Sequence, residues 1–256
     1  MILTVDAGNT HTLLGCWQDD SIAHTGRTFT LAQRTVQEWA LLLRDIMKLG
    51  DISPEQIMGA ALSCVVPPIT ASLSQGIALA FGCEPVVVGP GIKTGLDITI
   101  DDPAQLGSDM VCNAVAALEL YTLPIIIFDM GTATSVSVLD TKGRFSGGAI
   151  VPGIRTALDA LSAKASQLPH VALDAVPKRV IGKNTIDCMQ SGALFGAAAM
   201  IEGMTERIEQ ELGSACTVLI TGGHSEIISR CLRIEASHIP TLLLEGLHKI
   251  YAKNCE

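Results

Sequence analysis

Short apolar runs that stop at Asp-x-Gly alternate along this chain with longer stretches of helical period. The first run, at residues 1–5, is β-prone and ends at Asp6. Residues 35–49 then set Val36, Trp39, Ala40, Leu43, Ile46 and Met47 at the spacing of one helix face, and Gly50 suits a left-handed residue after the last turn. Residues 57–66 read as a strand up to Pro67-Pro68, residues 86–88 as a short buried strand, and Ser108 as the cap of a helix that buries Val111, Val115 and Leu118. The second half predicts a strand before Asp129, a helix over 185–212, a strand over 217–221, a helix starting near Ser225 and a last helix over 242–253. Strands alternating with helices predict mixed sheets covered by helices, an α/β class.

The chain also repeats itself. Residues 1–14 read MILTVDAGNTHTLL and residues 124–137 read PIIIFDMGTATSVS. In each, a β-prone run leads into Asp-x-Gly, a short polar stretch and a second apolar run. Asp6 and Asp129 lie 129 − 6 = 123 positions apart, about half of the 256 residues, so the period is that of a duplicated domain and not of a solenoid. Two sister domains are expected, over 1–115 and 116–256.

Composition narrows the partners. Apolar residues make up 48% of the chain and charged residues 17%, enough for a core with a solvated surface. A net charge of −9 and an isoelectric point near 5.1 argue against a nucleic acid or an anionic membrane as the main partner. Mean hydropathy is positive at +0.41, yet no stretch reaches the roughly 18 uninterrupted apolar residues of a spanning helix. The eight cysteines are scattered, form no CxxC pair and in several cases sit in apolar runs, a pattern of buried thiols in a reducing cytoplasm with no zinc site. The N-terminus lacks the basic and long apolar regions of a signal peptide.

The two Asp-x-Gly turns are the first candidates for chemistry. Gly8 and Gly131 let backbone N–H groups approach a ligand, and Asn9, Thr10, Thr12, Thr132 and Thr134 add short polar donors, a combination that suits phosphates. Asp6 and Asp129 act on a phosphate only through a cation, and hard oxygen ligands favour Mg or a monovalent ion. A plain pair of hairpins, with Asp and Asn as turn formers, is the alternative. Thr221-Gly222-Gly223, between a strand and a helix, offers flat backbone to a group such as adenosine, or is a simple turn. Gly147-Gly148 and Pro152-Gly153 suggest close backbone approach around a strand at 149–151. Asp109 follows a loop glycine and can take a proton from a hydroxyl, or it can be a first-turn acid that favours the helix dipole.

Taken in order, these motifs resemble type III pantothenate kinases. The resemblance is carried by Asp6-x-Gly-Asn-Thr10, Gly107-x-Asp109, Asp129-x-Gly-Thr-Ala-Thr134, Gly147-Gly-Ala-Ile-x-Pro-Gly153, Asn184-Thr185, Ser191-Gly192 and Thr221-Gly-Gly223, with Pro90 to Leu96, Ala157-Leu158 and Leu168-Pro169 in support. It covers nearly the whole chain. It implies two duplicated actin-like (ribonuclease H-like) domains and a dimer that phosphorylates pantothenate from ATP, the first step of coenzyme A synthesis, with Mg and a monovalent cation, potassium or ammonium. Residue by residue, it implies that Asp6, Gly8, Asn9, Thr10 and Thr12 face the ATP phosphates and metal, that Gly131, Thr132, Gly222 and Gly223 face the nucleotide, and that Asp129 faces the monovalent cation. It further implies Asp109 as general base, with Gly107, Ser108, Met110 and Thr185 at the acceptor.

Two departures from that pattern lie on the acceptor side. Gly107-Ser108-Asp109-Met110 stands where the family usually has Gly-Ala-Asp-Arg, and Ile100-Asp101-Asp102-Pro103 where it tends to have Tyr-x-Asn-Pro. An Arg presents a rigid fork of donors to an anion and a Met presents none. Lys93 or Arg155 is the expected substitute cation. The alternatives are a paralogue acting on another small hydroxylated acid, a related phosphohydrolase using water at Asp109, or a non-catalytic nucleotide-binding accessory protein.

Overall fold

The computed structural model describes residues 1–255. Within them the chain forms two compact units: residues 1–96, 101–119 and 242–255 make the first, and residues 97–100 and 120–241 the second. This division differs from a cut at 115/116. That cut falls inside a helix, and the C-terminal helix belongs with the first unit.

The first unit is built on a five-stranded sheet. β1 (Ile2–Ala7) pairs antiparallel with β2 (His11–Gln18), which pairs with β3 (Ser21–Phe29); on its other side β1 runs parallel to β4 (Gly59–Cys64), and β4 to β5 (Pro85–Val87). Pleating sends alternate residues to opposite faces. Leu3, Val5 and Ala7 of β1 and Leu62 of β4 join a core with Trp39, Leu43 and Met47 of α1 (Val36–Leu49) and Ile69, Leu73 and Ile77 of α2 (Pro67–Phe81). Ile2 and Ala61 face the other way, toward Val111, Cys112 and Val115 of α3 (Ser108–Leu120) and Leu247 and Ile250 of the C-terminal helix Leu242–Cys255. Thr35 caps α1 in a reciprocal box with Glu38. Pro67-Pro68, expected to end the strand, open α2 at its first turn, where proline's missing N–H costs nothing.

The second unit repeats that sheet. β6 (Ile125–Met130), β7 (Ala133–Leu139) and β8 (Phe145–Pro152) form an antiparallel meander, and β6 runs parallel to β9 (Thr217–Thr221), which pairs with β10 (Ser237–His238). The order β3-β2-β1-β4-β5 is therefore matched by β8-β7-β6-β9-β10. The match extends to the residue: Asp6 lies opposite Ser63 in the parallel pair and Asp129 opposite Thr221. Ile126 and Phe128 pack against Leu194 and Ile201 of the long helix α5 (Thr185–Leu212) and Ile228 of α6 (Ser225–Ser229), while Ile154 of α4 (Ile154–Lys164) joins the same core. The close approach expected around 147–153 is met by protein: a side chain at Gly148 would strike the backbone of Val136, and one at Gly153 the turn Gly131-Thr132. No helix among the described residues is long and apolar enough to cross a membrane.

Candidate active site

In the first unit, Asp6 sits at the carboxyl end of the central strand, where open α/β sheets receive ligands. It is buried, 7% exposed. Past it the turn tightens as the Gly8 N–H donates to the His11 carbonyl at 3.0 Å, leaving Asn9 and Thr10 exposed. Thr12 is different: it is fully buried and its Oγ1 lies 2.9 Å from Thr30 Oγ1. The alternation of strand β2 turns this side chain inward, so the structure places Thr12 in the packing under the turn and not among its exposed donors.

Asp109 is built into the first turn of α3. Helical bonding starts with the Val111 N–H donating to the Gly107 carbonyl at 3.1 Å, so Ser108 is the first helical residue and not its cap. Its Oγ lies 2.9 Å from Ser63 Oγ, which joins the turn to the strand position opposite Asp6. The Asp109 carboxylate accepts from the Met110 N–H at 2.8 Å and folds back over Gly107, where a Cβ would collide with it. Burial pushes the Asp109 carboxyl above the usual carboxylate range, against the lowering effect of the backbone N–H groups of Met110 and of Asp109 itself. One turn on, the fully buried Cys112 thiol is pushed well up by burial and by the negative charges of Asp6 and Asp109. Both carboxylates therefore act on the same point of α3.

In the second unit the Gly131-Thr132 turn is held from beneath. The Thr132 carbonyl accepts from the Gly153 N–H at 3.1 Å and from Thr156 Oγ1 at 2.7 Å, with Thr132 itself exposed. Asp129 is half-buried, and Gly222, at φ +90°, fits against it: a Cβ there would lie 2.5 Å from Asp129 Oδ1 and 2.6 Å from the Met130 nitrogen. The Gly222 carbonyl accepts from Ser225 Oγ at 2.6 Å, and Gly223 is exposed. Asp129, Gly131, Thr132, Gly222 and Gly223 are thus brought to one end of this sheet.

Thr185 opens α5 after the cap Asn184, whose side chain accepts from the Asp187 N–H at 2.9 Å. It borders an apolar cavity of about 510 Å³ with Val151, Leu158, Leu161 and Met200 in its walls. Sequence reading did not point to this cavity. Its signal was Gly192 in mid-helix, a residue that costs about 1 kcal/mol relative to Ala and here borders the cavity with nothing within 4 Å of its would-be Cβ. Arg155 is already engaged by the Asp159 carboxylate and donates to the Val171 carbonyl at 2.9 Å. Lys93 is exposed, its backbone tied to Asn254. Asp102 caps the short turn 103–105 by accepting from the Ala104 N–H.

Among the described residues no group of three or more His, Cys, Asp or Glu side chains gathers to hold a metal. A lone carboxylate such as Asp6 is the kind of ligand Mg uses together with water and substrate phosphates.

Two sheets of one topology, each with an Asp-x-Gly turn at the end of its central strand, define the fold of actin-like ATPases and sugar kinases. Solved structures of this fold include the activator of 2-hydroxyisocaproyl-CoA dehydratase from Clostridium difficile with bound ADPNP (TM-score 0.54, 12% identity, 98% of this chain and 94% of that one) and the ROK hexokinase from Thermus thermophilus (TM-score 0.52, 11% identity, 99% and 97%). Residues 2–207 match the type III pantothenate kinase family. A type III pantothenate kinase from an Exiguobacterium species is 42% identical over 255 residues, 99% of each chain. The chain belongs to the type III pantothenate kinase family.

Proposed function

We propose that this protein transfers the γ-phosphoryl group of ATP to the primary hydroxyl of pantothenate, giving 4'-phosphopantothenate and ADP at the entry to coenzyme A synthesis. The observation that carries the reading is Asp109: a carboxylate made more basic by burial, held over a glycine, in the same unit as the Asp6 turn. It takes the hydroxyl proton as the acceptor oxygen bonds to the γ-phosphorus and the bond to the bridging β,γ-oxygen breaks. The N–H groups and short side chains of Gly8, Asn9 and Thr10 hold the phosphates, and Gly131, Thr132, Gly222 and Gly223 hold the nucleotide. Asp6 would hold Mg, which would supply charge neutralisation at the phosphoryl oxygens. Asp129 takes a monovalent cation, potassium or ammonium. Gly107, Ser108, Met110 and Thr185 face the acceptor. The working form is a homodimer in the cytoplasm, a reading supported by the eight free cysteines and by the exposed Ile150, Leu161 and Ile186 of the second unit.

Met110 favours a second reading, in which the acceptor is another small hydroxylated acid. A coupled ADP-release assay over a panel of hydroxy acids, with calorimetric titration of ATP beside it, separates the cases. Turnover on pantothenate supports the first reading and turnover only on another acid the second; ATP binding without any turnover refutes both.

A further inference from the structure

A second cavity, of about 330 Å³, lies in the loop before α5, with Lys178, Arg179 and Lys183 in its wall. Three of the chain's 17 basic residues therefore fall within six positions of a protein whose net charge is −9. Five of the chain's other cations are ion-paired: Arg144 with Asp140, Arg155 with Asp159, Arg230 with Glu226, and Lys249 and Lys253 with Glu119. Lys178, Arg179 and Lys183 form no ion pair within 4 Å among the described residues. The one carboxylate of the wall, Asp187, is engaged by Asn184, which donates from Nδ2 to Asp187 Oδ2 at 2.9 Å. The backbone that carries the cations is fixed. Ser191 Oγ donates to the Val180 carbonyl, Gln190 Nε2 donates to the Ala172 carbonyl at 2.9 Å, and Gly182 packs so closely on Asp187 and Cys188 that no side chain fits. An anion bound in this cavity gains charge-assisted hydrogen bonds from the cations of its wall.

We propose that this cavity is a binding site for the phosphate group of a phosphomonoester. Arg179 supplies the planar fork suited to two phosphate oxygens, and Lys178 and Lys183 supply point charges. Pro177 and Ile181 give apolar wall to the carbon part of the ligand. The site adjoins Thr185, which the kinase reading places at the acceptor, but none of its charged residues belongs to the phosphate turns or the Asp109 loop.

The test is calorimetric titration of inorganic phosphate into the full-length protein at low ionic strength, with chloride as control. Lys178→Glu/Arg179→Glu is run beside the wild type. The site predicts saturable binding that weakens by at least roughly fivefold in the double variant, since that variant both removes and reverses charge in the cavity wall. Circular dichroism melting confirms that the variant folds, and Lys183→Ala provides a milder variant should it not. Unchanged affinity in a folded variant places the phosphate elsewhere and overturns the proposal, as does the absence of saturable binding by the wild type.

Discussion

Gly107→Ala isolates the position of Asp109 from its chemistry. The backbone at Gly107 is outside the left-handed region, so alanine is conformationally allowed there. Its Cβ, however, falls inside the closest approach that real Cβ atoms make to a neighbour, and the neighbour is Asp109 Oδ1. The carboxylate is the free end of a side chain, so it can yield by turning about its χ angles, at a stability cost of about 0.5 to 1.5 kcal/mol for a strained rotamer. To regain ordinary contact it must retreat by roughly 1 Å, and a displacement of that size at a reacting group costs on the order of a hundredfold in rate. The expected result is a kcat lowered by about tenfold to a hundredfold with the KM for ATP near that of the wild type. Steady-state kinetics and thermal melting on the same preparation read both quantities. Wild-type kcat in Gly107→Ala refutes the reasoning, because a base whose carboxylate can be displaced without effect is not the base.

Burial holds the Asp109 carboxyl above its usual range, so kcat/KM should rise with pH through an acid limb lying above ordinary carboxylate values, and that limb should vanish in Asp109→Asn. The same shift has a stability sign: a raised folded-state pKa means that ionisation opposes folding as pH rises, so folded Asp109→Asn should melt higher than wild type at neutral pH. Met110→Arg should improve kcat/KM for pantothenate by about tenfold to a hundredfold if position 110 meets the acceptor's carboxylate, since a hydrogen bond to a charged group contributes roughly 1.5 to 3 kcal/mol; an unchanged rate means that it does not. Burial raises the Glu119 carboxyl, but the hydrogen bonds and charges of Lys249 and Lys253 together outweigh it and hold the group below its usual range. Glu119→Gln should therefore cost about 1 kcal/mol or less at neutral pH, and the difference from wild type should fade as acid protonates Glu119.

Much of the duplication was legible in the sequence because it depends on local patterns. A β-prone run and an Asp-x-Gly turn announce themselves over seven residues, and their recurrence at Asp129 is matched by two sheets of one strand order. The helix over 36–49 was legible for the same reason, with its apolar stripe and Gly50. Other features depend on contacts that no local window contains. The sequence shows Thr12 only as a polar residue of the turn, while its burial follows from the pairing of β2 and from Thr30, eighteen positions away. Ser63 carries no motif, and it matters because the parallel register of β1 and β4 sets it beside Asp6 and its hydroxyl meets Ser108. The C-terminal helix reads as the end of the second half, yet its apolar face packs on Val111, Cys112 and Val115 of the first unit, a long-range choice that no pattern within 242–255 encodes.

In the proposed reaction, this chain phosphorylates pantothenate with Asp109 as base. Phosphorus NMR of the protein with Mg-ATP, potassium and pantothenate tests it most directly, with Asp109→Asn as a parallel sample. The account predicts a phosphomonoester signal growing in step with ADP in the wild type, and a rate at least about a hundredfold lower in a folded Asp109→Asn. Phosphomonoester formation at comparable rates in both samples would contradict it.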